Sequence, residues 1–193
     1  MTFFKENSYN IVKMMLYQFG MMIFGLIVTM AASKSGMLQL TVSIYATLMY
    51  VALLYMMTWD CGAKDHIRVN GGYIRADRLS GLKMSLMANI PNFIILFFLL
   101  LGYLFGVALS EQAWAQGMFI IAHGAGVVFQ AMYTGIVNTL IPPSGSALSG
   151  MYLVAYLLTP LPSIAASCFG YEMGWRERRL FGFLSGKNKK NGK

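Results

Sequence analysis

The chain has 193 residues, of which 57% are hydrophobic and only 11% are charged. Soluble domains carry about 25% charged residues, so this composition excludes an ordinary soluble domain. The net charge of +8 is explained by basic loops that face an anionic cytoplasmic leaflet, and we expect no nucleic-acid partner. The sequence predicts one membrane domain over residues 1–193, an all-α polytopic transmembrane helical bundle in the cell membrane.

Long uncharged runs predict about five membrane segments. The longest run, residues 112–171, has sixty residues without Asp, Glu, Lys or Arg. At about 1.5 Å of rise per residue it spans roughly 90 Å, three times a hydrocarbon core of about 30 Å. The Pro-Pro-Ser-Gly turn signal at 142–145 divides it. The predicted segments are 14–32, 36–59, 84–110, 113–140 and 148–171, with a basic loop at 60–83 and a basic tail at 172–193.

Prolines predict interruptions in two of these segments. Pro91 lies near the start of the third segment, where a helix is expected to begin or to kink. Pro160 and Pro162 lie in the fifth segment, which is expected to be kinked or broken at membrane depth. These three residues are the predicted hinges.

The 60–83 loop is expected to be cytoplasmic. Alternating residues around Asn70-Gly71 predict a β-hairpin at 66–75. The stretch 77–87 then resembles an amphipathic lead-in, with Arg78 and Lys83 able to face headgroups. An ordinary basic loop that contacts anionic lipid headgroups is the simpler alternative.

The distribution of basic residues conflicts with five crossings. Five crossings place seven Lys and Arg residues on one face and eight on the other, so the positive-inside rule selects neither face. If the tail shares the face of the 60–83 loop, fourteen basic residues lie together and only Lys34 lies opposite. That arrangement needs an even number of crossings, and four would leave one segment re-entrant. Five is the default count, with the fourth or fifth segment as the one that does not cross simply.

Small residues at four-residue spacing predict helix contacts. Gly102 and Gly106 form a GxxxG pair, and the small residues Ala166 and Gly170 have the same four-residue spacing. Small side chains let helix backbones approach closely in lipid. We expect these pairs to pack helices of one bundle, with a homodimer face as the alternative.

Polar residues inside the apolar segments are the candidates for lining a ligand site. His123 and Gln130 are seven residues apart and Asn138 follows eight later, so a continuous helix would present them as one stripe. Asn89 and Asn92 share a face at the third segment. Polar groups in hydrocarbon indicate function, although hydrogen bonds between helices alone explain them as well. No acidic residue is available in these segments, which favours the second explanation.

Asp60, Asp65 and His66 are a weak metal-site candidate at the end of the second segment. Ion pairs with neighbouring basic residues are the alternative, and HExxH and GxSxG motifs are absent from the sequence. We therefore predict no cofactor and a non-catalytic role, as a small transport component or an accessory subunit that contacts other membrane subunits. The alternative hypothesis is an interfacial metal-dependent enzyme that acts on lipid or peptide.

Overall fold

A computed structural model describes residues 2–109, 112–141 and 150–178. The predicted turn at 142–145 and the tail beyond 178 lie outside these residues. Within them the chain forms helices and no strand, which confirms the all-α prediction. The helices are α1 (Thr2–Ala31), α2 (Gly36–Asn70), α3 (Ser80–Ala88), α4 (Ile90–Tyr103), α5 (Ala113–Phe129), α6 (Thr134–Leu140), α7 (Gly150–Leu158) and α8 (Leu161–Trp175).

Four helical stretches are long and apolar enough to cross a membrane. They are α1, α2, α4 with the π turn Leu104–Ala108, and α7 with α8. A fifth stretch consists of α5 and α6, joined by the 3-10 turn Ala131–Tyr133 and bent by 79°. The predicted polytopic bundle is confirmed, and the sharp bend falls in the fourth predicted segment. The fifth segment is interrupted between α7 and α8, where its prolines lie, yet it still qualifies as one span.

The predicted hairpin at 66–75 is wrong, because α2 continues as a helix to Asn70. Packing extends this helix: Cys61 and Gly62 are buried, and a side chain at Gly62 would collide with the backbone of Tyr171 on α8. The Asn-Gly-Gly signal instead ends the helix. The amide of Gly71 donates to the carbonyl of Ile67, which leaves a loop of only residues 71–79.

The third segment begins as two helices rather than one. α3 buries one face against α1 and α8. Asn89 separates α3 from α4, and Pro91 occupies the first turn of α4. Proline is well tolerated in a first turn, where amides lack helical partners. The predicted break near Pro91 is therefore present.

The small-residue pairs lie at contacts within the chain. Gly102 and Gly106 pack on α5, and Gly170 packs on Tyr55 and Thr58 of α2. Ala166 is buried in the same core. Both pairs therefore join helices of one bundle, as the spacing favours.

One end of the bundle collects most of the charged residues, and we call it the basic end. The end of α2 and the end of α8 meet there, since His66 Nδ1 lies 3.4 Å from Glu177 Oε1. The start of α1 lies there as well, because Lys83 Nζ sits 5.4 Å from the centroid of the Phe3 ring. Of the ten Lys and Arg residues that the structure describes, only Lys34 lies toward the other end. The nine toward the basic end are Lys5, Lys13, Lys64, Arg68, Arg75, Arg78, Lys83, Arg176 and Arg178.

Two consecutive apolar segments run in the same direction. α5 and α7 are parallel, because His123 contacts Tyr152 and, further along both helices, Gln130 contacts Thr159. α7 and α8 lead to the basic end as one span. α5 also leads toward that end, whereas α6 packs through Gly135 on Gln39 and Ser43 near the start of α2, toward the opposite end. The bent pair of α5 and α6 thus enters the bundle without carrying the chain to the basic end.

The α2–α8 contact gives the first test of this packing. Replacing Gly170→Leu inserts a side chain into the backbone of α2, and overpacking costs about 1–3 kcal/mol. In a chain of this size about 1 kcal/mol shifts Tm by about 2–4 °C, so thermal unfolding in detergent should show a Tm lower by about 2–12 °C. Gly20→Leu is the matched control, because a Cβ at Gly20 meets no described atom within 4 Å. Equal Tm values for the two variants would contradict the contact.

Candidate functional site

Buried polar side chains from four helices and three helix breaks meet inside the bundle. We call this group the polar cluster; it consists of Gln18, Tyr50, Asn89, Asn92, Gln130, Thr159 and Ser163. Every member is buried. Together with Met132, Tyr133 and Pro160 they line a cavity of about 10 Å³. That volume is close to the space that a single water molecule occupies.

Three interruptions of helical structure converge on this cavity. Asn89 lies between α3 and α4, Gln130 follows α5, and Thr159 and Pro160 lie between α7 and α8. At each break one α-helix ends and a turn precedes the next helix. Non-helical backbone at membrane depth is tolerated only when it is buried in protein or lines a cavity. The breaks therefore stabilise one another by meeting in one place.

Asn89 ties the first break to the third. Its Nδ2 donates to the carbonyl of Ser85 at 2.9 Å and to Ser163 Oγ at 3.2 Å. Its Oδ1 accepts from Asn92 Nδ2 at 2.9 Å. Ser163 Oγ donates in turn to the carbonyl of Pro160 at 2.7 Å, on the non-helical turn. One amide side chain thus supports both α3 and the start of α8.

Gln130 ties the second break to the third. Its Oε1 accepts from Thr159 Oγ1 at 2.6 Å. Two further side chains hold the turn that follows Gln130: Thr29 Oγ1 donates to the carbonyl of Ala131 at 3.2 Å, and Ser43 Oγ accepts from the amide of Gly135 at 2.8 Å. The sharp bend is therefore fixed by hydrogen bonds to α1, α2 and the α7–α8 turn.

Two amide side chains in the cavity wall have unused hydrogen-bonding capacity. Asn92 is 5% exposed, and its Oδ1 has no partner among the described residues. Gln18 is also 5% exposed, and its amide hydrogen-bonds to none of the residues described. A neutral amide offers a carbonyl acceptor and two N–H donors. The cavity can therefore bind a small polar group by accepting and donating hydrogen bonds.

The predicted stripe of three polar residues does not form. His123 and Gln130 do face the same neighbour, the α7 side of the bundle. Asn138, however, lies on α6 beyond the 79° bend. His123 itself lies outside the cavity, edge-on to Tyr152 with ring centroids 4.9 Å apart. The prediction of a stripe assumed a continuous helix through Gln130, and the bend shows that the helix is not continuous there.

The metal-site candidates do not converge. Asp60 is exposed, while Asp65 Oδ2 accepts from Tyr171 OH at 2.9 Å, and His66 faces Glu177. Their spacing places the three side chains on different sides of α2. In the part of the chain that the structure describes, no three potential metal-binding side chains come together. The three residues therefore form no common site.

A wide cleft of about 960 Å³ lies at the basic end, lined by charged groups of both signs, among them Glu6 and Arg68. Asp77 anchors its edge. Lys83 Nζ donates to Asp77 Oδ2 at 2.6 Å, and this hydrogen bond lowers the pKa of the Asp77 carboxyl below its usual value. The pair stays charged at neutral pH and holds the loop against the start of α3.

Sequence reasoning missed part of the cluster. Asn89, Asn92 and Gln130 are predicted ligand-lining residues that the structure brings to one cavity. Thr159 and Ser163 were not predicted, although the Thr-Pro-Leu-Pro-Ser run marks the break that carries them. Polar side chains beside a proline break in an apolar segment are the signal that identifies them.

No protein-family model matches the chain, and no curated protein or solved structure is significantly similar to it. The fold and the polar cluster together define the class: an integral membrane protein of apolar helices with interrupted helices inside the bundle. Any finer assignment has to come from the chemistry of the cluster.

The hydrogen bonds of Asn89 give a direct test of the cluster. Asn89→Leu leaves the amide nitrogen of Asn92 without its acceptor and removes the donor to Ser163 Oγ, and we expect a loss of about 1–3 kcal/mol of stability. Thermal unfolding should then show a Tm lower by about 2–12 °C. Asn138→Leu is the matched control, with a Tm within about 2 °C of the wild type. A harmless Asn89→Leu substitution would show that the cluster does not support the breaks.

Proposed function

We propose that the chain is a small transport component of the cell membrane, and that the polar cluster is its cargo site. One observation carries the proposal: three interrupted helices meet at a buried cavity whose walls keep unused hydrogen-bonding atoms. Discontinuous helices that meet near the middle of the bilayer are a common way to build transporter binding sites. A purely structural core would be expected to pair its buried polar atoms fully.

The topology of the proposed transporter has four crossings. α1, α2, the α3–α4 segment and the α7–α8 segment cross, while α5 and α6 form a re-entrant pair. This arrangement places the N-terminus, the 71–79 loop and the end of α8 on one face. Nine basic residues against one then assign that face to the cytoplasm by the positive-inside rule. It also removes the conflict that five crossings create.

The re-entrant pair supports a transport role for a physical reason. Its tip, at the Ala131–Tyr133 turn, is held by hydrogen bonds from side chains rather than by continuous helix. Such a segment can shift without unfolding a whole membrane span. A binding site bordered by a movable segment can open toward one face at a time, as alternating access requires.

A ligand screen by thermal unfolding tests the cargo site. The purified protein in lipid nanodiscs is heated with simple salts, amino acids, sugars, and short alcohols, amines and amides. A ligand at about 100 times its Kd adds about 2.7 kcal/mol, which raises Tm by about 5–11 °C. We expect one class to raise the Tm of the wild type and of Asn138→Leu, and not that of Asn92→Leu. Uptake of that class into proteoliposomes then tests transport.

The same preparation separates the transport role from that of an accessory subunit. A partner that copurifies stoichiometrically in mild detergent, with no solute class stabilising the chain, would contradict the cargo site. The chain would then be assigned as an accessory subunit.

A further inference from the structure

The surface of the bundle carries an apolar groove directly beside the polar cluster. Its volume is about 220 Å³, and α1, the start of α4 and the end of α5 contribute its walls. Val12, Leu16 and Phe19 are each more than half exposed, which places the groove on the outer, lipid-facing side of α1. Its lining residues are Val12, Met15, Leu16, Gln18, Phe19, Pro91 and Phe129. A molecule dissolved in the bilayer therefore has direct access to it.

Gln18 is common to the groove and the polar cavity. It lines the groove on one side and the cavity of the polar cluster on the other. Within the groove it is the only polar residue among the lining residues that the structure describes. Across the cavity, Asn92 presents the carbonyl oxygen that has no described partner. An apolar groove thus leads to the amide of Gln18 and to the unpaired carbonyl oxygen of Asn92.

The lining determines the charge of the ligand. No described Asp, Glu, Lys or Arg lines either the groove or the cavity. Burying an ion without a countercharge costs several kcal/mol, more than a few neutral dipoles return. The ligand must therefore be uncharged.

The cavity determines the shape and the polarity of the ligand. Its volume of about 10 Å³ admits one group of the size of a water molecule. Asn92 Oδ1 can only accept a hydrogen bond, so that group must donate one. The groove beside Gln18 suits an apolar body. A hydroxyl or a primary amide on a hydrocarbon chain meets all three conditions.

We infer that Gln18 anchors the polar head of an uncharged, lipid-soluble alcohol or amide, whose apolar body lies in the groove between α1, α4 and α5 and whose head donates to Asn92. The inference rests on the proposed function, because it names the class of cargo that the polar cluster accepts. It also gives the route: the cargo enters from the bilayer between α1 and α5 and not from the water.

Photolabelling tests this site. The probe is an aliphatic alcohol that carries a photoactivatable diazirine, applied to the full chain in lipid nanodiscs, with labelled residues found by mass spectrometry. We expect labelling within residues 12–19 and near Pro91 and Phe129. Excess 1-octanol should reduce it at least fivefold, whereas octanoate and octane, which share the chain length but not the neutral donor, should leave it nearly unchanged.

Variants distinguish hydrogen bonding to the polar head of the probe from non-specific binding of its apolar chain. Gln18→Met keeps the length of the side chain and removes the amide that would hydrogen-bond the head of the probe. Labelling should therefore fall at least fivefold. Asn138→Leu, outside the cavity, should label like the wild type. A second substitution, Gln18→Asn, keeps the amide and should retain most of the labelling. It is the control that distinguishes loss of the hydrogen bond from misfolding caused by a change at this position.

Each other outcome decides against the inference. Equal labelling of Gln18→Met, or equal competition by octane, would mean that the groove holds acyl chains only. No labelling in the groove, together with stabilisation by a salt or a sugar that Asn92→Leu abolishes, would overturn the ligand class and leave the cargo site standing. If the groove is not labelled and no ligand gives a stabilisation that depends on Asn92, the proposed cargo site is overturned as well.

Discussion

Lipid offers no hydrogen bonds, and this constraint shapes the structure more than any other. A helix that breaks at membrane depth exposes backbone and side-chain polar groups that only the protein itself can satisfy. This chain breaks three of its apolar segments, at Asn89, at Gln130 and at Thr159. It places the three breaks against one another, where Asn89 and Gln130 bridge them. The remaining helices pack around that cluster.

The same constraint explains where function can lie. Asn89, Gln130 and Thr159 are hydrogen-bonded at the breaks, yet Asn92 Oδ1 has no partner among the described residues and lies beside the cavity that Gln18 also lines. An unpaired buried amide is costly, and each one calls for an explanation such as a bound water or a ligand. Since the lining is neutral throughout, hydrogen bonding rather than charge attraction selects what enters. Most of the charged residues that the structure describes lie instead at the basic end.

The sequence predicts the class of fold well and its breaks in part. Uncharged runs give the apolar segments, because burial in lipid acts on every residue of a span. Pro91, Pro160 and Pro162 lie at or beside two of the three breaks, since a proline removes a local hydrogen bond. No proline or other strong turn signal marks the bend after Gln130; it depends on contacts with Thr29 and Ser43, far away in sequence. The prediction of a hairpin at 66–75 failed for a related reason. Packing on α8 extends α2 to Asn70, although the local sequence pattern resembles that of a turn.

The distribution of charge underlies the topology that we propose. Fourteen basic residues share one face only if the chain crosses the membrane an even number of times. The parallel course of α5 and α7 supports our proposal that α5 and α6 form the re-entrant segment that this even number requires. Residue types alone could not choose between the fourth and fifth segments. The order of contacts along α5 and α7 favours the fourth segment in our proposal.

Cysteine accessibility tests this arrangement most directly. Single cysteines replace Lys34, Arg75, Gln112 and Arg178 in turn, in a chain whose Cys61 and Cys168 are changed to alanine, and a membrane-impermeant maleimide is applied to oriented vesicles. A re-entrant α5–α6 pair requires that positions 75 and 178 react from one side and that positions 34 and 112 react from the other. Reaction of position 178 from the side of position 34 would mean that α5 and α6 cross the membrane, and it would contradict the account of the three breaks meeting in one buried cluster.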